Sequence, residues 1–191
     1  KTFYNKFPYL KNKKFLLFLG RFHEKKGCKI LINSLKKLSN KNIKINVLFA
    51  GPNNKNKNEL INLSKKYGLE KRIFWSDVII NDFKWGAILA SSGMVLSSRG
   101  ENFGVSLVES LRFARPVFTT YKVNIYKEIL DAKAGFISKD NPDDFSLILE
   151  KFYKFKNSEL KILSINAYKC FKKNFDLSVG KNNFLNLINK N

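Results

Sequence analysis

Predominantly apolar runs of strand length, the first of them unbroken, alternate along this chain with stretches whose apolar positions recur every third or fourth residue. The runs fall at 15–19, 43–50, 72–76, 94–97 and 116–119, with a last brief one at 135–137. Runs that are apolar throughout, rather than at alternate positions, suit strands covered on both faces. Between them, Ile30, Leu31, Leu35 and Leu38 line one side of a helix that opens at Gly27. Leu60, Ile61 and Leu63 belong to a second helix, which Tyr67-Gly68-Leu69 closes with a glycine cap. Asn81 can cap a third, running to Leu89, and Val105, Leu107, Val108 and Leu111 mark a fourth. A short helix is expected at 125–130. Asn141-Pro142-Asp143-Asp144 reads as N-cap, N1 proline and acidic first turn of a helix reaching Phe155. Its buried stripe is Phe145, Ile148, Leu149 and Phe152. Further helices are expected at 158–173 and 178–188. Strands alternating with helices predict an α/β fold, a Rossmann-like doubly wound parallel sheet. No internal repeat and no boundary interrupts 15–175. Residues 1–14, basic and aromatic with Pro8, read as a linker or a returning segment that leans on the domain.

In such a sheet, ligands bind at the carboxyl ends of the strands. The loop from Gly20 to Gly27, the Gly51-Pro52 turn and the loop from Gly100 to Gly104 all lie at that edge. The last of these joins a strand to a helix, an arrangement that aims backbone N–H groups and the positive helix end at one point suited to an anion. Glu101 sits in this loop and Glu109 one turn into the helix, on the face that Val105 begins. A carboxylate there serves equally as a helix-end charge, worth about 0.3–1 kcal/mol, or as a ligand to hydroxyls. Arg21 and Lys26 stand opposite, where they could clamp a diphosphate, Arg as a fork and Lys as a point charge. Their charge alone decides nothing in a chain this rich in lysine.

Composition narrows the choice of partner. The 191 residues are 44% hydrophobic, enough for a real core, and no apolar run approaches the roughly 18–20 residues of a membrane span. The formal net charge is +21. Arginine is confined to Arg21, Arg72, Arg99, Arg112 and Arg115, and the lysines are scattered through the whole chain, so specific nucleic-acid binding is disfavoured. Nonspecific charge of this kind is sufficient for a weak attraction to an anionic membrane surface. Cys28 and Cys170 match no metal or redox spacing and suit buried thiols in a reducing compartment. His23 is the only histidine, which argues against a zinc site or a Ser-His-Asp triad. Neither a G-x-G-x-x-G nor a P-loop pattern occurs, against a dinucleotide dehydrogenase and a P-loop enzyme. His23 reads as a solvated loop residue, and Phe103, Trp75 and Trp85 as packing. Residue 1 is Lys and the only methionine is Met94, so an upstream portion of the sequence is expected.

The ordered set Gly20-Arg21-Phe22-His23-Glu24-Lys25-Lys26-Gly27, Ala50-Gly51-Pro52, Arg72-Ile73-Phe74-Trp75 and Glu101-Asn102-Phe103-Gly104 with Glu109 resembles glycosyltransferase family 4. The likeness is to the C-terminal, donor-binding half of the GT-B fold, and Gly135-Phe136-Ile137 resembles that family's late glycine step. It spans about 15–155. It implies retaining transfer of a sugar from a nucleotide-diphosphate sugar to a glycan or lipid-linked acceptor, as in polysaccharide or lipopolysaccharide biosynthesis, with no metal and no cofactor. Carried onto this sequence, the catalytic set is Arg21, Lys26 and Glu101. Donor contacts would come from Gly20, Arg21, Lys26, Gly51, Pro52, Val78, Glu101, Asn102, Phe103, Gly104, Val105 and Glu109. Arg21 and Lys26 would hold the diphosphate, Glu101 the sugar hydroxyls, Glu109 the ribose, and the Gly51-Pro52 and 75–78 edge the base. Ser76 stands where many relatives have glycine. The implied partners are a nucleotide-sugar and an N-terminal acceptor domain, to which residues 176–191 would cross back. The implied location is cytoplasmic, with the inner membrane face as the anionic surface. Two other readings remain: another GT-B-like sugar enzyme, such as a phosphorylase or epimerase, and a non-catalytic α/β module for nucleotide or nucleic acid.

Overall fold

The computed structural model describes residues 2–178. Six parallel strands form one sheet: β1 (Phe15–Leu19), β2 (Asn46–Ala50), β3 (Ile73–Ser76), β4 (Met94–Leu96), β5 (Val117–Thr120) and β6 (Gly135–Ser138), in the order β3-β2-β1-β4-β5-β6. Register runs Leu17 to Leu48 across β1 and β2, and Val95 to Phe118 across β4 and β5. The expected doubly wound sheet is therefore present, and its central strands are buried on both faces. Leu16, Leu17, Phe18, Val47, Leu48, Phe49, Val95 and Phe118 are all fully enclosed.

Helices α1 (Thr2–Lys6), α2 (Cys28–Asn40), α3 (Lys55–Lys66), α4 (Asn81–Ala90), α5 (Val105–Arg112), α6 (Tyr126–Asp131), α7 (Pro142–Lys154) and α8 (Asn157–Asn174) cover the sheet. Right-handed crossovers put α2 and α3 on one face and α5 and α6 on the other. Helix α7 returns to pack on α2, α8 packs on α5 and α6, and α1 packs on α4. Residues ahead of β1 form α1 and a short 3-10 turn at Pro8–Leu10, with Phe3, Phe7 and Leu10 buried in the common core. The cap at Gly68 is real: its φ is +69°, and Leu69 N donates to Ser64 O. Asn141 caps α7 by accepting from Asp144 N at 2.9 Å.

Element ends shift for identifiable reasons. Strand β2 begins at Asn46, not Ile43, because Ile43 N is already committed to Leu38 O at the end of α2. Strand β4 stops at Leu96, before Ser97, whose hydroxyl turns to donate to Gly27 O at 2.8 Å. Strand β5 begins after Pro116, which has no N–H to give the ladder. The helix expected at 178–188 lies, apart from Ser178, outside the described residues.

The strand order reverses between β1 and β4, so the loops that follow them diverge and leave a crevice at the carboxyl edge. That crevice is the natural place for a site.

Candidate functional site

A cleft of about 530 Å³ lies over this switch point. Gly20, Arg21 and Lys26 line it from the loop after β1, Gly51 and Pro52 from the turn after β2, and Val78 and Ile79 from the loop after β3. Glu101, Gly104, Val105, Ser106 and Glu109 line it from the β4–α5 joint, and Lys84 reaches it from α4. Size does not select it, since a hollow of about 590 Å³ lies beside α7. Chemistry does, because basic and acidic side chains, glycine backbone and a helix N-terminus converge on this cleft.

Close backbone approach makes the walls. A Cβ on Gly51 would stand 2.1 Å from Gly20 O, so the β1 and β2 turns can lie side by side only with glycine there. Gly27 combines a φ of +69° with a Cβ position 1.7 Å from Ser97 O. The two long loops are then tied together. Arg99 N donates to Lys25 O at 2.8 Å, Ser98 Oγ to the same oxygen at 2.7 Å, and Arg99 Nη1 to Glu24 Oε1 at 3.1 Å. Buried Ser97 and Ser98 thus spend their polarity on positioning the loop after β1. The backbone of Glu101 is held from the loop after β5: its N–H donates to Lys122 O at 2.9 Å, and its carbonyl accepts from Asn124 N at 3.0 Å.

Gly104 adopts φ +67° and starts α5 with no side-chain cap. The first-turn amides, which have no intrahelical acceptor, therefore open at Val105 and Ser106, where α5 meets the cleft. Two lysine–glutamate pairs frame this point. Lys26 Nζ donates to Glu101 Oε2, and Lys84 Nζ donates to Glu109 Oε1 at 2.6 Å. All four side chains are about a quarter exposed or less. Arg21 is exposed at the rim, and no carboxylate pairs with it among the described residues.

Of the residues expected at the site, Gly20, Arg21, Lys26, Gly51, Pro52, Val78, Glu101, Gly104, Val105 and Glu109 line one cleft. Asn102 and Phe103 do not. Phe103 is exposed and meets Phe175 edge-on at a centroid distance of 5.8 Å, beside a different hollow shared with Asn124, Ile125 and Glu128. Reading Phe103 as core packing also needs correction, because it is 47% exposed. Trp75 stacks on Phe49 at 4.8 Å and Trp85 lies tilted against Phe113 at 5.4 Å, both half-buried at the margin of the core. His23 is exposed, and its Nδ1 accepts from Lys25 N to cap the short turn before Gly27. Both thiols are buried; burial pushes Cys28 up to about 12 and Cys170 up to about 11, so neither is a nucleophile at neutral pH. No group of His, Cys, Asp and Glu suited to a metal ion occurs among the described residues, and no helix among them is long and apolar enough to cross a membrane.

Sequence reasoning missed Lys84, Ile79 and Ser106. Ser106 was reachable as the helix position next to Val105. Nothing local marks Lys84, one lysine among many, because its role depends on α4 lying beside α5.

Comparison with known proteins agrees with this architecture. The family model described as glycosyl transferases group 1 matches residues 2–169. Among curated proteins, the α-1,3/1,6-mannosyltransferase ALG2 of Dictyostelium discoideum is 25% identical over 158 residues, covering 74% of this chain and 38% of its own length. The serotype-specific mannosyltransferase WbdA of Escherichia coli is 29% identical over 84 residues, covering 44% of this chain and 10% of its own length. The chain therefore spans well under half of these relatives. Among solved structures, sucrose-phosphate synthase from Thermosynechococcus elongatus superposes with a TM-score of 0.83 at 14% identity, over 98% of this chain and 47% of the other. Anabaena HepE, solved in complex with UDP, gives 0.83 at 17%, over 98% and 51%. The C-terminal domain of a group 1 glycosyl transferase (LpcC) from Francisella tularensis gives 0.71 at 21%, over 86% of this chain and 87% of that domain. At these identities the structural likenesses show the fold, a Rossmann-like half of the GT-B type. The family match runs through nearly every described element, from α1 into α8, and the chain belongs to the glycosyl transferases group 1 family.

Proposed function

We propose that this chain is the donor-binding half of a retaining glycosyltransferase of family 4, which moves a hexose from a nucleotide-diphosphate sugar to a glycan or lipid-linked acceptor. The observation that carries the reading is the convergence, at one switch-point cleft, of Arg21, two lysine–glutamate pairs and the uncapped start of α5. A diphosphate is the ligand that such a set fits. Arg21 would fork it, Lys26 would meet it as a point charge, and the α5 amides would donate to its oxygens. Breaking the bond from the anomeric carbon to the diphosphate leaves the electron pair on phosphate oxygen. Cations and amides already aimed there stabilise that charge as it develops, without a metal ion. Glu101, with its backbone held from two sides, would accept from the donor sugar's hydroxyls. Glu109 would accept from the ribose, and the Gly51-Pro52 and Val78 wall would receive the base.

Curated relatives named as mannosyltransferases and the HepE structure solved with UDP support a nucleotide-sugar as substrate. An N-terminal acceptor domain as the partner is supported by structural neighbours of which this chain covers only about half. With it the chain would work in the cytoplasm. The net charge supports a weak attraction to the inner membrane face and no sequence-specific contact with nucleic acid. The test is a calorimetric panel of UDP, GDP and ADP against the matching nucleosides. At least one diphosphate should bind more tightly than its nucleoside. Binding of none of them by the folded chain would overturn the proposal.

A further inference from the structure

Glu109 is not alone at its end of the cleft. Lys84 Nζ lies 2.6 Å from Glu109 Oε1, and its own position is fixed from behind, where Nζ sits 4.1 Å from the Trp85 ring centroid. Trp85 in turn packs on Phe113, the C-cap residue just past α5. Two successive residues of α4 thus reach the helix that carries Glu109, Lys84 by its ion pair and Trp85 by its ring. The chain leading into α4 is held as well: Lys57, almost wholly buried, donates to Ser76 O at 3.2 Å and to Asp77 Oδ1 at 2.6 Å.

We infer that Lys84 is a positioning residue of the donor site, which aims the Glu109 carboxylate and sets the preference of this chain for a ribose over a sugar lacking its hydroxyls. The inference rests on the donor-site reading above. A carboxylate offers about four lone-pair sites on its two oxygens. Lys84 takes one on Oε1 and leaves Oε2 and the remaining lone pairs for a vicinal diol. A free glutamate would have to give up side-chain freedom on binding the diol, whereas one pinned by Lys84 has already given it up. Charge points the same way. A ribose is neutral, so closing it over an unpaired carboxylate would strand that charge away from water, and the Lys84 ammonium compensates it. Lys26 and Arg21 line the same cleft from the loop after β1, where the donor reading puts the phosphates.

The test measures affinities of the chain for UDP, GDP and ADP and for their 2′,3′-dideoxy counterparts, using the base that binds best. The unaltered chain should prefer the ribose form. In Lys84→Met the ribose form should weaken by about tenfold, the scale of a charged hydrogen bond, while the dideoxy form holds. Lys84→Arg, which can fork the same carboxylate, should recover most of the preference. Should Lys84→Met not fold, Lys84→Gln, a neutral donor of similar reach, serves in its place and should show a smaller loss of the same kind. A lowered melting temperature with an unchanged ribose-to-dideoxy ratio would show a merely structural pair and overturn the inference. Tighter ribose binding by the variant would also overturn it, by showing that Lys84 competes for Glu109. Absence of diphosphate binding by the unaltered chain would instead remove the donor-site reading, and this inference with it.

Discussion

At the scale of single residues, the cleft divides its charges by commitment. Lys26 and Lys84 are each engaged with a glutamate, while Arg21 faces the opening unpaired among the described residues. Arg21 is therefore the cation with most to gain from an incoming diphosphate. Arg21→Ala should weaken nucleoside diphosphate binding by about 1.5–3 kcal/mol, the range of a hydrogen bond to a charged group, and leave the nucleoside nearly unchanged. Calorimetry with both ligands checks this, and equal losses for the two would take Arg21 off the diphosphate. The residue scale is also where sequence reading met its limit. Arg21, Lys26, Glu101 and Glu109 were legible because each sits in a motif beside glycine or at a helix start. Lys84 was not, because a salt bridge between α4 and α5 leaves no spacing signal in a chain with 36 basic residues. Phe103 failed for the opposite reason: it lies within the motif, but its ring turns from the cleft toward Phe175.

At the scale of elements, the site depends on loops that touch backbone to backbone. The four central strands were readable because burial on both faces leaves mostly apolar runs, and α7 because its cap, proline and acidic turn fall in sequence order. Helix α1 was not readable, since only its packing on α4 distinguishes it from a polar lead-in. Gly27 shows how strongly the loops are coupled. Gly27→Ala adds a Cβ 1.7 Å from Ser97 O at a positive φ, so either the β1 loop or the β4 loop must move. The expected cost is about 3 kcal/mol of stability, or more, with diphosphate binding reduced at temperatures where the chain stays folded. Denaturant unfolding measures the first effect and calorimetry the second; a change under about 0.5 kcal/mol would mean that the loops are not tied at this point. A pH effect arises at Glu150 on α7, which accepts from Lys154 at 2.7 Å and from Lys41, just past α2, at 3.1 Å. These hydrogen bonds, Lys154 first, hold its carboxyl below the usual carboxylate range. A depressed folded-state pKa gives stability that is present above the unfolded value, about 4.3, and lost as pH falls through the folded value. The melting temperature of Glu150→Gln should therefore lie below that of the unaltered chain at neutral pH and converge with it under acid conditions. Parallel curves down to acid pH would remove Glu150 from the acid response.

At the scale of the whole molecule, this chain aligns with about half the length of its structural neighbours sucrose-phosphate synthase and HepE, and the proposed chemistry divides along the same line. The groups that would hold a donor lie on loops and helices along one edge of the sheet, braced by hydrogen bonds within these residues. Donor binding should therefore be a property of the chain alone. It should be weak, because an open cleft leaves the diphosphate in contact with water, where each charge pair is worth less than in a closed site. Transfer is different. It requires an acceptor hydroxyl held against the anomeric carbon, and orientation of that kind contributes about 7–11 kcal/mol in well-aligned systems. In the proposed two-half enzyme that hold belongs to the N-terminal acceptor domain. Incubation of residues 1–191 with labelled nucleotide-sugars and lipid-linked or free glycan acceptors should thus give binding without transfer. Adding the partner domain, as a fusion or in trans, should restore transfer and tighten donor binding together, since both follow from closing the cleft. Robust transfer by residues 1–191 alone would show that the acceptor is positioned within this chain and would end the two-half account.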